Sequence, residues 1–170
     1  IDKNQNRINT RDYFMFKGRI VADTQREEEY TRMISNVIVE EFHRINRVFA
    51  SHLVAFVAFQ MMRKRHISFD LFSFLRIPVD EIEIEYEEFR AVFDRLRDRI
   101  IEMFNAGKVD MATHLTSDID EVIELGISNV GMYHSKRPLL KNKSGNIITQ
   151  DLNNLYYYNN RMDGYDLEKY

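Results

Sequence analysis

Histidine and aspartate recur four positions apart at two places in the chain, and this pairing is the first candidate for chemistry. His66 precedes Asp70, and His114 precedes Asp118. On a helix this spacing places both side chains on one face, where the carboxylate could orient the histidine as a general base. Both pairs straddle expected helix boundaries, and neither has a nucleophile nearby in sequence. We therefore favour a structural interpretation, in which each histidine ends a helix and each aspartate caps the next one.

Other common catalytic and metal-binding signatures are missing from the sequence. Cysteine is absent, which excludes disulfides, thiolate nucleophiles and zinc fingers. No His-Glu-x-x-His, glycine-rich phosphate loop or Gly-x-Ser-x-Gly elbow occurs. Alternating glutamates between Glu81 and Glu88 are interpreted as a solvated strand edge rather than a cation site. We expect no metal, no cofactor and no catalytic residue in this chain.

Two basic segments are candidates for binding phosphate groups. The stretch from Gly131 to Gln150 contains no Asp or Glu, and a shorter cluster follows the second expected helix. Their side chains could meet phosphates of lipid headgroups or of nucleic acid, or could simply keep a loop hydrated. The formal net charge of −3 gives no overall attraction to nucleic acid, which we do not expect as a partner. The candidate contact residues are Arg63, Lys64, Arg65, Lys136, Arg137, Lys141 and Lys143.

Length and composition set the frame for these groups. The 170 residues, of which 44% are hydrophobic and 30% charged, predict one soluble globular domain. Apolar residues at near-helical spacing predict that the domain is mainly α. Helices are expected to begin at Thr24, Ser51 and Ser117, and to run from Tyr86 to Asn105 and from Gln150 to Met162.

The first two helices differ in their apolar pattern. Between Tyr30 and Ile45 the apolar residues follow one face, which we expect to lie in the core. Leu53 to Met62 is apolar on every side except at Gln60. A helix of this kind lies in the centre of a core or in a membrane. Ten residues span only about half of a bilayer core, so we predict a central core helix.

A β-hairpin is predicted late in the chain. Pro138 to Thr149 contains two short apolar segments separated by a turn at Ser144 and Gly145. Helices followed by a hairpin predict a mainly-α domain with a winged-helix-like end. We divide the chain into an extended linker, residues 1–22, and a helical domain, residues 23–170. Since the sequence begins at Ile1, we interpret it as a piece of a longer protein.

Three separate stretches carry a family resemblance. They are Ile38 to Val48 (IVEEFHRINRV), Ser51 to Ala58 (SHLVAFVA) and Leu155 to Met162 (LYYYNNRM). Together and in this order they resemble the helical region that follows the catalytic domain of membrane-bound glycerol-3-phosphate acyltransferases. The resemblance covers Tyr13 to Tyr170.

The sequence also departs from this family. His52 stands where relatives have proline, and Tyr158 stands where they have arginine, so no role of that arginine is carried over. The family's catalytic motif, a histidine and an aspartate separated by four residues, has no counterpart here. Its Phe-x-Glu-Gly-Thr-Arg-Ser block for glycerol phosphate is also missing, and both would lie upstream of Ile1. The resemblance therefore implies an accessory domain without catalytic residues.

The resemblance also implies partners and a location. The whole protein would transfer an acyl group from acyl-CoA or acyl-ACP to sn-glycerol 3-phosphate, the first step of phospholipid biosynthesis. The domain would pack on its own upstream catalytic domain, peripherally at the cytoplasmic side of the inner membrane, where its basic segments would meet anionic lipid. We also expect the isolated fragment to be soluble and to self-associate through aromatic surface that the catalytic domain normally covers.

Two other functions remain open from the sequence. A winged-helix-like module that binds protein or nucleic acid is indicated by the late hairpin. The helix from Ser117 to Val130 contains four acidic residues and no Lys or Arg, which argues against duplex DNA. A small free-standing enzyme that uses one of the His–Asp pairs is the weaker alternative.

Overall fold

The computed structural model describes residues 24–167 and the backbone of residues 15–16 and 19–20. The chain divides into two compact units, Ile1–Glu41 and Phe42–Tyr170. The first unit contains two short antiparallel strands, β1 (Met15–Phe16) and β2 (Arg19–Ile20), which agree with the predicted extended segment. The rest of residues 1–22 lies outside the described residues.

Helix α1 spans Thr24–Ile45, and its exposure contradicts the prediction of a core-facing side. The helix begins where the sequence indicates and carries the expected apolar face, but none of its residues is buried. Val37, Ile38 and Phe42 are all more than half exposed. Hydrophobic periodicity identifies which side of a helix is apolar, but it does not show what covers that side.

The second unit contains the remaining helices and strands. The five helices described in it are α2 (Ala50–Arg65), α3 (Leu71–Phe74), α4 (Tyr86–Asn105), α5 (Ile119–Asn129) and α6 (Leu152–Asn159). Its strands are β3 (Arg47–Val48), β4 (Glu83–Ile84), β5 (Asp110–Met111), β6 (Leu140–Lys141) and β7 (Ile147–Ile148). Short 3₁₀ turns occupy Val79–Glu81, Thr113–Thr116 and Asn160–Met162.

Helix α2 lies at the centre of the core, as its composition predicts. Ten of its sixteen residues are buried. It packs against α4, α5 and α6, and also contacts β4 and the 3₁₀ turn Asn160–Met162. The helix begins at Ala50 rather than at a Ser51 cap, and Phe49 at the cap position makes no side-chain hydrogen bond to the helix.

A glycine permits the close crossing of α2 and α5. A Cβ atom on Gly126 would lie 2.6 Å from Val54 Cγ1 and 2.8 Å from the carbonyl oxygen of Ala50. These distances are shorter than carbon atoms tolerate in a packed core. The position of Gly126 on the apolar side of its helix predicts such a close crossing, and the structure confirms it.

The predicted hairpin forms and is joined by a third strand. Strands β6 and β7 pair antiparallel, with Leu140 opposite Ile148. Strand β4 pairs antiparallel with the other edge of β7, with Ile84 opposite Ile147. The turn residue Gly145 has a φ of +86°, a conformation that glycine adopts without strain.

Several helix boundaries differ from the sequence prediction, while α4 matches it at both ends. Helix α5 begins two residues later than predicted, because Asp118 rather than Ser117 accepts the first backbone N–H groups. Helix α6 likewise begins at Leu152, with Asp151 as its cap in place of Thr149. It gives way to a 3₁₀ turn at Asn160. At both boundaries an aspartate side chain, rather than the preceding Ser117 or Thr149, accepts hydrogen bonds from the free N–H groups at the helix start.

The connectivity of the second unit confirms the mainly-α class with a late hairpin. From α2 onward its elements run α2, the short α3, β4, α4, β5, α5, β6, β7 and α6. Strand β4 pairs with β7 in a sheet ordered β4-β7-β6, whereas β5 pairs in parallel with β3. Apart from α3 and β5, the order from α2 to β7 and the pairing of β4 with β7 are those of a winged helix. Here the winged-helix-like part occupies the middle of the unit, because α6 follows the hairpin and packs on α2.

Candidate functional site

The histidines and aspartates predicted as possible pairs have separate structural partners. His66 Nδ1 lies 2.9 Å from the carbonyl oxygen of Met62, at the end of α2. Asp70 caps α3, accepting hydrogen bonds from the backbone N–H of Ser73 at 2.9 Å and from its hydroxyl at 2.8 Å. The same bonds hold the pKa of Asp70 below its usual value. The structural interpretation of this pair is confirmed.

The second pair is divided in the same way. Asp118 caps α5, whereas the Nε2 atom of His114 accepts a 3.2 Å hydrogen bond from the backbone N–H of Ala50. The ring of His114 stacks on Phe49, with centroids 6.3 Å apart. Phe49 has no side chain that can cap α2. His114 takes that role, because it accepts a hydrogen bond from a free N–H at the helix start.

A third histidine, His52, lies beside this cap and was not singled out for chemistry. Its Nδ1 atom is buried and has no hydrogen-bond partner among the described residues. Burial, with a smaller contribution from Arg161, lowers the pKa of His52 to about 4. The neutral ring packs edge-on against Phe49. Among the described residues no group of three acidic or histidine side chains is arranged to hold a metal ion.

The first basic segment lies at the end of α2, and its three residues differ in their engagement. Arg63 donates a 3.0 Å hydrogen bond to the carbonyl oxygen of His66. Arg65 binds the carboxylate of Glu88 and the carbonyl oxygen of Glu83. Lys64 is exposed and makes no ion pair with the described residues. Basic residues in the last turn also interact favourably with the negative end of the helix dipole.

Large apolar side chains project into solvent immediately after this basic segment, a feature that sequence reasoning missed. The exposed fraction is 81% for Ile67, 44% for Phe69 and 76% for Phe72. The sequence predicts a short apolar element over residues 68–77, helical rather than extended, but not its exposure. The available signal is that this apolar element directly follows a cluster of basic residues.

The second basic segment is more firmly tied to the fold. Lys141 in β6 binds the carboxylate of Glu124 and lies 3.8 Å from the centre of the Tyr86 ring. Arg137 donates a 2.6 Å hydrogen bond to the carbonyl oxygen of Ser128. Lys136 and Lys143 are exposed. Two of the four predicted contact residues therefore serve internal contacts.

Strand β4 links the two basic segments. The carbonyl oxygen of Glu83 accepts from Arg65, while its carboxylate accepts from the side-chain amides of Asn142 and Asn146 in the hairpin. Those amide bonds lower the pKa of the Glu83 carboxyl. Glu83 was predicted as part of a solvated acidic edge. Here it also fastens the hairpin turn to the strand beside it.

A polar cluster joins α4, α5 and the hairpin. Tyr86 donates a 2.6 Å hydrogen bond to Asp120, whose carboxylate also pairs with Arg90 at 3.0 Å. Both bonds lower the pKa of Asp120, the one from Tyr86 most. Burial and the neighbouring carboxylate raise the pKa of Tyr86. The cluster is structural in character, because each group already has a partner within it.

Three consecutive tyrosines, residues 156–158, are divided between the core and the surface. Tyr156 packs against Phe59 with ring centroids 5.2 Å apart, and Tyr158 contacts the core and His134. Tyr157 is exposed, and the Arg161 guanidinium lies 5.8 Å from the centre of its ring. Because three consecutive residues of a helix point in different directions, the sequence predicts that at least one of these tyrosines belongs to the core, and this is confirmed.

Comparisons with protein-family models, with curated proteins and with solved structures find no match to this chain. None of the described helices combines the length and the apolar character required to cross a membrane. The geometry of the chain itself is therefore the basis for any statement of function.

That geometry brings residues of the three resemblance stretches, or their immediate neighbours, into contact. Asn46, from the first stretch, donates a 3.1 Å hydrogen bond to the hydroxyl of Tyr165, just after the third. Gln60, two residues after the second stretch, donates a 3.1 Å hydrogen bond to Asn159 in the third. The second and third stretches, about a hundred residues apart in sequence, thus lie on helices that pack together, and the end of the first stretch contacts the segment that follows the third.

Proposed function

We propose that this chain is the C-terminal accessory domain of a glycerol-3-phosphate acyltransferase. The observation that carries the proposal is the packing of the helices that contain the second and third resemblance stretches, together with the hydrogen bond from Asn46, near the end of the first stretch, to Tyr165. If the stretches matched that family by chance, nothing would require them to form a common structural centre. Their mutual contacts are what a shared domain core would produce.

The contacts of the first stretch support this role at the entry of the domain. The His43 ring packs on Tyr165 with centroids 4.8 Å apart, and a Cβ on Gly164 would approach the His43 ring to 2.6 Å. Gly164 and Tyr165 therefore fit closely around the end of α1. In the proposed protein, α1 leads out of the catalytic domain. The contacts of His43 with Gly164 and Tyr165 mark where the accessory domain begins.

The function of the domain in this proposal is positional rather than catalytic. The His–Asp pairs are separated, and the acyl transfer would take place upstream on the catalytic domain. The exposed apolar face of α1, including Val37, Ile38 and Phe42, provides the surface against which that catalytic domain packs. In the isolated chain the same face provides a surface for self-association. The whole protein would lie peripherally at the cytoplasmic side of the inner membrane.

The decisive experiment is to read the coding sequence upstream of Ile1 and assay the encoded protein. We expect a histidine and an aspartate separated by four residues, followed by a Gly-Thr-Arg block. Purified full-length protein should then transfer an acyl group to glycerol 3-phosphate, and deletion of residues 24–170 should reduce that activity. An unrelated upstream domain, or full-length protein with no such activity, would reject the proposal.

The connectivity of the second unit favours one other candidate, a winged-helix-like binding module. In such modules the second helix of the helical pair is the usual reading element, here α5. Asp120, Glu121 and Glu124 give α5 an acidic surface, so the partner would be a basic protein segment rather than duplex DNA. Fluorescence anisotropy with labelled duplex DNA should show no binding at low salt. Salt-dependent DNA binding would contradict this choice of partner.

A further inference from the structure

We infer that residues 63–77 form a membrane-docking surface whose partner is an anionic lipid bilayer. This surface, here called the α2–α3 turn, combines exposed apolar side chains with unpaired basic ones. It specifies where the membrane location proposed above is achieved, but it is argued from this turn alone and does not depend on the acyltransferase assignment.

Buried side chains fix the turn on the core, so that its other apolar side chains remain exposed to solvent. Phe74 is fully buried, and Leu71 and Leu75 pack on the core, so the short helix α3 is fixed in place. Ile67 and Phe72, by contrast, are 81% and 76% exposed. An anchored turn that presents large apolar side chains to solvent loses little conformational freedom when those side chains enter an apolar environment.

The backbone of the turn is already hydrogen-bonded internally. The N–H of Phe69 donates to the carbonyl oxygen of His66 at 3.1 Å, and that of Leu75 donates to Leu71 at 3.0 Å. The N–H of Ile77 donates to Phe74 at 3.1 Å. A segment whose backbone groups are paired within itself enters the headgroup region at a lower cost than one that must give up bonds to water.

The charges around the turn complement an anionic surface. Residues 63–77 contain four Lys and Arg residues and one carboxylate, Asp70. The carboxylate is occupied by two hydrogen bonds from Ser73. Lys64 and Arg76 are exposed and have no ion pair with the described residues, so both are available for phosphate groups. A basic residue near an anionic membrane strengthens partitioning about fivefold.

Residues 131–150, here called the hairpin region, offer an internal comparison. Tyr133 is 93% exposed and lies near the exposed Lys136. Yet Arg137 and Lys141 are engaged within the fold, and only Met132 adds further exposed apolar surface beside the tyrosine. Each region thus has two engaged and two exposed basic residues, so the difference between them lies in the apolar surface, to which the turn contributes three large exposed side chains and the hairpin region two. We therefore assign docking to the α2–α3 turn and use the hairpin region as the control.

The test measures binding of the 170-residue chain to vesicles by co-sedimentation. Vesicles of phosphatidylcholine alone are compared with vesicles that also contain phosphatidylglycerol. We expect binding to the mixed vesicles, weakening as salt is raised, and little binding to phosphatidylcholine. The double variant Ile67→Asp/Phe72→Asp and the double variant Lys64→Glu/Arg76→Glu should each reduce partitioning at least about tenfold.

The matched control is Tyr133→Asp/Lys143→Glu, which changes one exposed aromatic and one exposed lysine in the hairpin region. It should alter partitioning less than about twofold, well below the change of about fivefold expected for a basic residue that contacts the membrane. All replaced side chains are substantially exposed, and thermal unfolding of each variant checks that the fold is kept. The inference is overturned if the wild-type chain does not bind mixed vesicles, or if the control variant loses binding as strongly as the turn variants. Binding retained by Ile67→Asp/Phe72→Asp would overturn it as well and would point to a protein as the partner of this turn.

The two proposals fail independently. If the upstream sequence lacks an acyltransferase but the turn variants lose lipid binding, the docking surface stands without that family. If the enzyme is active and neither turn variant affects vesicle binding, the acyltransferase proposal stands and the docking surface is rejected.

Discussion

The side-chain amide of Gln60 donates a 3.1 Å hydrogen bond to the side-chain oxygen of Asn159. Gln60 is the one polar residue in the apolar run of α2, and Asn159 is one of two buried polar residues in the described core. The bond gives each amide a partner at a place where water has little access. It thereby ties the central helix to the last one.

Replacing Asn159 with alanine should lower the free energy of unfolding by about 1–2 kcal/mol, because a buried side chain is truncated and the partly buried Gln60 amide loses its partner. Chemical denaturation monitored by circular dichroism measures the change. Asn153→Ala, at an exposed site on the same helix, serves as the control and should have an effect within about 0.5 kcal/mol. In a double-mutant cycle with Gln60→Ala, additive losses would show that the hydrogen bond does not couple the two helices.

Gly126→Ala should destabilise the domain by about 1–3 kcal/mol, since the new methyl group must displace the Ala50 carbonyl or the Val54 side chain. Alanine has the higher helix propensity, so an open site would give the opposite sign. Thermal unfolding distinguishes the two results. The control is Leu125→Ala, one residue away and 39% exposed, which should have a smaller effect. A Gly126→Ala variant of equal or higher stability would show that α2 and α5 do not cross so closely.

His52 should make the stability of the domain depend on pH. Its pKa is lowered from 6.5 to about 4 in the folded chain, chiefly by burial. Between these two values the unfolded chain takes up a proton that the folded chain does not, so stability is lost as the pH falls from 6.5 toward 4. Above pH 6.5 this contribution is constant.

His52 is partly exposed, and solvent screening reduces the free energy that corresponds to its pKa shift. We therefore expect His52 to account for about 2 kcal/mol of the stability that is lost in acid. Urea titrations of the wild-type chain and His52→Gln at several pH values measure it as the difference in slope between the two proteins. The difference removes contributions from carboxylates such as Asp70, whose lowered pKa also costs stability in acid. Identical slopes in the two proteins would mean that His52 titrates normally when folded.

Tyr86→Phe should cost about 1 kcal/mol, because it removes the 2.6 Å hydrogen bond to the exposed Asp120 carboxylate while keeping the ring under Lys141. It should also raise the pKa of Asp120, since that bond is the largest cause of its lowered value. Carbon-detected NMR titration of the carboxyl groups reads the pKa directly. If Asp120 titrates at the same pH in both proteins, the pair does not persist in solution.

Much of the fold follows from the sequence where a pattern is long or chemically specific. Helix α4 alternates charge pairs with an apolar stripe over twenty residues, and its bounds agree at both ends. The turn at Gly145 and the crossing at Gly126 depend on the properties of a single residue type and are likewise confirmed. The central position of α2 follows because an all-apolar helix of this length has few stable places to lie.

Other features depend on neighbours that are distant in sequence. The pairing of β4 with β7 joins residues more than sixty positions apart, and two-residue strands carry almost no periodicity. The apolar face of α1 and the side chain of Phe72 are exposed because none of the described elements covers them. A local sequence pattern does not encode whether such a neighbour is present. The cap that His114 provides to Ala50 is likewise a tertiary contact, whereas the sequence placed a cap at Ser51.

The central position of α2 has a consequence for how the domain is made. Its apolar surface leaves the ribosome before α4, α5 and α6, which pack against it. Burial in the described residues extends to Leu167, beyond the end of α6. A nascent chain that stops short of α6 therefore carries an uncovered Val-, Phe- and Met-rich helix, the kind of segment that chaperones bind and that aggregates at high expression. We expect the yield of folded protein to depend on slow synthesis or added chaperone, and loss of α6 to lower that yield more than loss of residues before α2.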